Sequence, residues 1–163
     1  MITPQDRLHL ARCIELATEA LNAGDAPFGS LLVLDDQVRF EARNRTRTGN
    51  DATLHPEFEI ARWTAAHLSE EERARAVVYT SGEHCPMCAA AHGWVGLGRI
   101  VYASSSRQLV TWLGELGAPE NPVQALTITE ILRNADVDGP VEGLDEEVRR
   151  LHAHHATLNQ SRE

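Results

Sequence analysis

Two short apolar runs constrain this chain most: Ala76–Thr80 (Ala-Val-Val-Tyr-Thr) and Arg99–Ala103 (Arg-Ile-Val-Tyr-Ala). Each is too short for a helix and lacks polar alternation, the pattern of a strand covered on both faces. Between them lies Cys85–Trp94, an Ala-rich stretch followed by Gly96 and Gly98, which predicts a helix. Strand, helix and strand in that order demand a sheet with helices packed on it. Upstream, Thr3-Pro4-Gln5-Asp6 reads as an N-cap, a first-turn proline and an acid. Leu10, Ile14, Ala17 and Leu21 follow at helical spacing, and Asn22-Ala23-Gly24 stops that helix.

Gly29–Leu34 predicts a strand, Asp35-Asp36 a turn, and Gln37–Ala42 the returning strand of a hairpin. Arg43–Leu54 is polar, contains Gly49-Asn50-Asp51 and reads as a loop. Helices are expected over Pro56–Leu68, Ser106–Leu116 and Asp145–His155. Ala125–Ile131 is compatible with a strand or a helix start. As the fifth strand it lies ~20 residues beyond Ala103, enough for a crossover and a parallel pairing. The expected fold is α/β, a three-layer α/β/α sandwich. Its mixed five-stranded sheet begins with an antiparallel hairpin and continues in parallel. With 163 residues, against roughly 150 per domain, one domain spanning 1–163 is expected.

Charge narrows the partners. There are 24 acids against 15 bases, a net charge of −9, and every base is Arg. A dedicated nucleic-acid or anionic-membrane binder needs a basic face, so neither partner is expected. No apolar run approaches the ~18 residues of a membrane span. Met1–Arg12 has neither the basic nor the apolar region of a signal peptide. Three Cys, two of them in Cys85-Pro86-Met87-Cys88, suit reduced thiols and a cytoplasmic setting.

Two clusters carry chemistry. His55-Pro56-Glu57 stands where the polar loop meets a helix, and Glu83-His84-Cys85-Pro86-Met87-Cys88 stands where a buried strand meets another. One imidazole and two thiols are good zinc ligands. The Cys spacing puts both sulfurs on one face of a first helical turn, where the helix dipole favours thiolate. Three ligands leave a fourth position open, as a catalytic zinc requires. Glu57, two residues from His55, can then serve as a proton carrier beside the metal. Taken residue by residue, other readings stay open. Cys85 and Cys88 also suit a redox pair or a structural zinc half-site, with His84 or Cys13 as the nearest fourth ligand.

Together the clusters resemble the zinc-dependent nucleobase and nucleoside deaminase superfamily, whose signature is H-x-E followed by P-C-x-x-C. The resemblance runs from about Leu16 to Ala103. It includes Ala26-Pro27-Phe28-Gly29, the Asn44 loop and Arg99–Ala103. The phrase Tyr79–Cys88 is most similar to the branch of bacterial guanine deaminase, fungal cytosine deaminase and tRNA adenosine deaminase. The resemblance implies the cytidine deaminase-like sandwich, one zinc per chain on His55, Cys85 and Cys88, and Glu57 as proton shuttle. It implies substrate contacts from Asn44, eleven residues before His55, from Phe28 and Gly29, and from Trp94. For Phe28 and Trp94, plain core packing is the competing reading. It also implies a homodimer.

Two positions depart from the signature: His84 replaces its Pro, and Pro56 replaces the usual Ala. His84 is therefore a candidate pocket residue. Trp112 and Glu115 occupy a stretch comparable to one that reads the purine in guanine-type enzymes, with the His152-Ala153-His154-His155 tail beyond. Guanine or a guanine-like base is the expected substrate. Cytosine, another pyrimidine, a nucleoside or an aminotriazine is the alternative. A tRNA adenosine deaminase and a non-catalytic zinc protein of the same fold rank lower.

Overall fold

The structure is a computed structural model that describes residues 1–160; the far bound of the expected domain, residue 163, lies outside them. Helix α1 (Pro4–Ala23) starts on a capping box between Thr3 and Asp6 and ends at Gly24, which takes a left-handed φ of 95°. Strand β1 (Gly29–Leu34) and strand β2 (Gln37–Arg43) form the hairpin. Asp35 and Asp36 both have positive φ, 51° and 58°, as a two-residue turn matched to strand twist requires. Helix α2 (Pro56–His67), a short α3 (Glu70–Arg75), β3 (Val77–Gly82), α4 (Pro86–Val95) and β4 (Ile100–Ser104) follow. Then come α5 (Ser106–Glu115), α6 (Ile128–Ile131), β5 (Val137–Asp138) and α7 (Leu144–Gln160).

The five strands lie in the order β2-β1-β3-β4-β5. β1 pairs antiparallel with both β2 and β3, while β3–β4 and β4–β5 are parallel. Side-chain alternation splits the core. Leu31, Val33, Tyr79, Val101 and Ala103 face α1, α5 and α7, where they meet Leu10, Cys13, Ile14, Trp112 and Val148. Leu32, Leu34 and Val78 face Ile60 of α2, and Ile100 meets Ala89 of α4 and Ile128 of α6. With helices on both faces, β1 has no solvent side, so all six of its residues are buried.

The fifth strand corrects the sequence reading. Ala125–Ile131 forms no strand: Thr127 and Glu130 make a capping box that starts α6. The edge strand is the two-residue β5, registered as Ile100↔Val137 and Val101↔Asp138. The terminal helix also runs longer than expected, over Leu144–Gln160.

Asp6 fastens this frame. Its carboxylate accepts from Thr3, from Tyr79 Oη at 2.7 Å and from Arg99 Nη1 at 3.0 Å, joining α1 to β3 and to the start of β4. Burial pushes the Asp6 carboxyl up, but hydrogen bonds from Thr3, Arg99 and Tyr79 outweigh it and hold it well below the usual carboxylate range.

Candidate metal centre and pocket

The loops ahead of α2 and α4 bring the two clusters together. His55 is the N-cap of α2 and Cys85 the N-cap of α4, each followed by proline at the first helical position. Caps are usually Ser, Thr, Asp or Asn, which spend their side chains on the helix. His55 makes no such capping bond, so its ring is available for something else. Proline at the next position costs nothing, because that N–H has no helical partner anyway.

His55 Nδ1 lies 3.6 Å from Cys85 Sγ and 3.6 Å from Cys88 Sγ, and the two sulfurs are 3.5 Å apart. Zinc–sulfur and zinc–nitrogen bond lengths give a tetrahedron edges of about 3.5–3.8 Å, so the three atoms fit one face of a zinc site. The hydrogen bond between the two sulfurs, helped by His55, holds Cys85 down at about 4, while the same contact and burial push Cys88 up. The hydrogen bond to Cys85 raises His55. Among the described residues, this is the cluster whose donors can share one metal ion.

Glu57 is 5% exposed. Its Oε2 lies 3.8 Å from Cys88 Sγ, toward the metal face, and its Oε1 accepts from Thr80 Oγ1 at 2.7 Å. Burial pushes its carboxyl up, the direction that suits a group that must both take and return a proton.

A cavity of about 260 Å³ opens above this floor. Asn44 and Phe28 line one side. Asn44 Oδ1 accepts from the backbone N–H and the hydroxyl of Thr46, at 3.0 and 2.9 Å. A backbone N–H can only donate, so the amide oxygen is fixed there and Nδ2 remains to address a ligand. The loop behind it is held by buried Asp25, which accepts from the backbone of Arg47 and Thr48 and from the Thr48 hydroxyl. Phe28 sits between Gly82, where a Cβ would come within 3.1 Å of its ring, and His152 of α7, edge-on at 4.9 Å. Burial pushes His152 down to about 3, so that ring is neutral.

A second stretch of the lining comes from later in the chain. Leu109, Val110 and Leu113 of α5 and Val123, Gln124 and Leu126 of the following loop face the cavity. Glu83 ties this wall to the floor: its carboxylate accepts from Ser106 N–H and Oγ at 2.8 Å and from Ile128 N–H at 2.9 Å. Among the described residues, no Arg lines the cavity.

The profile of the cytidine and deoxycytidylate deaminase zinc-binding region matches residues 3–104, and those residues carry the whole triangle and Glu57. The chain belongs to this deaminase family. It is 36% identical over 96 residues to guanine deaminase of Bacillus subtilis, across 58% of this chain. It is 39% identical over 95 residues to the tRNA-specific adenosine deaminase of Agrobacterium fabrum, across 56% of this chain. Each match spans 62% of the relative's own length. The crystal structure of guanine deaminase from Nitrosomonas europaea superposes with a TM-score of 0.69 at 18% identity, covering 96% of this chain and 86% of that one. That likeness establishes the fold. The two sequence relatives act on different amines by name, so family membership alone leaves the substrate open.

The structure divides the expected site residues. It brings together His55, Cys85, Cys88, Glu57, Asn44 and Phe28. Five others stand away from the cavity. Gly29 packs against α1, where a Cβ would strike the backbone of Cys13 and Ala17. His84 is 1% exposed and sits edge-on to His92, at 5.3 Å, with neither ring nitrogen hydrogen-bonded. Trp94, on the last turn of α4, is 90% exposed. Trp112 is in the core beneath α5. Glu115 lies about 200° around α5 from Leu113 and pairs with Arg149 at 3.1 Å on the surface. Sequence reasoning missed Thr80, Asp25 and the α5 wall. Thr80 had a usable signal: it is the polar end of an apolar strand, two residues from Val78 and so on the same face.

Proposed function

We propose that this chain is a zinc-dependent hydrolytic deaminase of a free, uncharged amino-heterocycle, with a guanine-like base as its first substrate. The observation that carries the reading is the buried Glu57 carboxylate beside the His55–Cys85–Cys88 triangle at the floor of a cavity. His55, Cys85 and Cys88 would hold the zinc, which would supply Lewis-acid activation of a water. Asn44 Nδ2 donates to a ring acceptor and sets the base's orientation. Phe28 and the α5 wall enclose its flat faces and exclude water. Glu57 would take one proton of the attacking water and pass it to the ring, then take the second from the new hydroxyl and give it to the departing amine. The carbon gains oxygen, the C–N bond breaks and ammonia leaves.

The cavity wall favours a free base over a nucleotide or an RNA. Arg43 and Arg45, the cations nearest Asn44 in the chain, are paired with Asp25 and Glu59, so neither is offered to a phosphate. No helix among the described residues is long and apolar enough to cross a membrane, and the three Cys are free thiols, in keeping with a reducing compartment. Trp94, 90% exposed on α4, supports a homodimer, since Trp is enriched among the residues that anchor interfaces.

The test is ammonia release by zinc-loaded protein from guanine, adenine, cytosine, their nucleosides, an aminotriazine and a tRNA anticodon stem-loop. Guanine is expected to turn over fastest, with its nucleoside slower. Fastest release from the RNA would overturn the free-base reading. Release from cytosine alone would move the substrate to the pyrimidines.

A further inference from the structure

We infer that Thr80 is the positioning residue for Glu57, and that Ser30 fixes Thr80 in turn. The inference rests on the reading of Glu57 as proton carrier. Ser30 and Thr80 are direct cross-strand partners of β1 and β3. Alternation puts both on the sheet face that carries Leu32, Leu34 and Val78, the face covered by α2. Along that face the lining is apolar until it reaches the metal centre, where it changes to two hydroxyls with no exposed surface. Ser30 Oγ donates to Thr80 Oγ1 at 2.9 Å, and Thr80 Oγ1 lies 2.7 Å from Glu57 Oε1.

Proton counting gives the arrangement its direction. Thr80 has one hydroxyl proton and two acceptors in reach, Glu57 Oε1 at 2.7 Å and the Gly82 carbonyl at 2.9 Å. With Ser30 already donating to Thr80, the Thr80 proton must go outward to one of them. A buried carboxylate oxygen without a donor is costly, and charge makes Glu57 the stronger acceptor. The proton therefore belongs to Oε1. That anchors one carboxylate oxygen to the sheet and leaves Oε2, near Cys88, as the atom that handles protons. β-Branching restricts the Thr80 rotamer, so the hydroxyl is held in one direction in advance.

The account predicts a split between isosteric and hydroxyl-keeping variants of the zinc-loaded full chain. Thr80→Val is expected to keep one zinc per chain. Its kcat should fall on the order of 100-fold, the scale of a displaced catalytic group, with KM changed less than about threefold. Thr80→Ser should recover most of that loss, and Ser30→Ala should lose less than Thr80→Val. A crystal structure of Thr80→Val should find the Glu57 carboxylate turned from its place beside Cys88. An unmoved carboxylate there would overturn the inference whether or not a substrate is in hand. So would Thr80→Val turnover within about twofold of the parent while Glu57→Ala is inactive. Should Glu57→Ala remain active, the proton-carrier reading fails instead, and the carboxylate position in Thr80→Val still decides the geometric claim. If Thr80→Val does not fold, Ser30→Ala carries the test. Loss of zinc and Tm in Ser30→Ala, with kcat of the zinc-bound fraction unchanged, would make these hydroxyls merely structural and overturn it.

Discussion

The floor and the far wall of the pocket are built differently. The floor takes His55, Glu57, Cys85 and Cys88 from the first turns of α2 and α4, with Thr80 and Ser30 holding Glu57 from the sheet. Its polar atoms are held by neighbours on four elements, α2, α4, β1 and β3. The wall takes Leu109, Val110 and Leu113 from one helix, and Val123 and Leu126 from a loop whose hydrogen bonds are short-range, such as Val123 N–H to Asn121 and Leu126 N–H to Gln124. On the proposed reading, chemistry belongs to the helix starts and substrate choice to the α5 wall and the loop after it. Substitutions on the floor should abolish reaction, and substitutions on the wall should redistribute it.

The largest expected effect breaks the floor. Cys88→Ser should lose zinc and all measurable ammonia release, and a chelator should do the same to the parent while lowering its Tm; metal analysis and a thermal melt check both. Next is the frame beneath both regions. Asp6→Asn removes a buried, multiply bonded charge and should cost about 3 kcal/mol of stability. Asp6 keeps its charge in the fold to lower pH than in the unfolded chain. Its contribution is therefore complete above the ordinary carboxylate range and drains away as pH falls through and below it. Denaturant titrations at pH 7 and pH 3 should find the parent and Asp6→Asn closer at pH 3, with the ratio of rates on guanine and cytosine untouched.

A smaller effect tests the junction of floor and wall. Gly82→Ala puts a Cβ within 3.1 Å of the Phe28 ring. KM should rise on the order of tenfold, about 1–2 kcal/mol, with zinc content unchanged; steady-state kinetics beside metal analysis reads it. The smallest belongs to the wall alone: Val110→Ser, half exposed at the cavity, should change KM by about threefold and alter the guanine-to-cytosine ratio without altering Tm.

The same contrast explains what could be read from the sequence. His55, Glu57, Cys85 and Cys88 were legible because short spacings at helix starts decide where those atoms lie. The hairpin was legible from Asp35-Asp36, since so few residues accept two successive positive φ angles. The wall was not. Leu109, Val110, Trp112 and Leu113 are all apolar, and only packing in the folded core decides that Trp112 turns inward while Leu109, Val110 and Leu113 line the cavity. Glu115 followed from the same unknown phase. His84 was read toward the pocket, yet it lies buried against His92, and sequence carries no sign of that partner. β5 escaped because two residues have no periodicity. Asn44 could be named as a contact, but its donating sense depends on Thr46.

The most direct test of the central claim is ammonia release by zinc-loaded Glu57→Ala against the parent, with zinc per chain measured on the same samples. One zinc per chain is expected in both, with a loss of turnover of at least about a thousandfold, the scale of a removed general acid–base. A variant that holds zinc and keeps its rate within tenfold of the parent would contradict the claim.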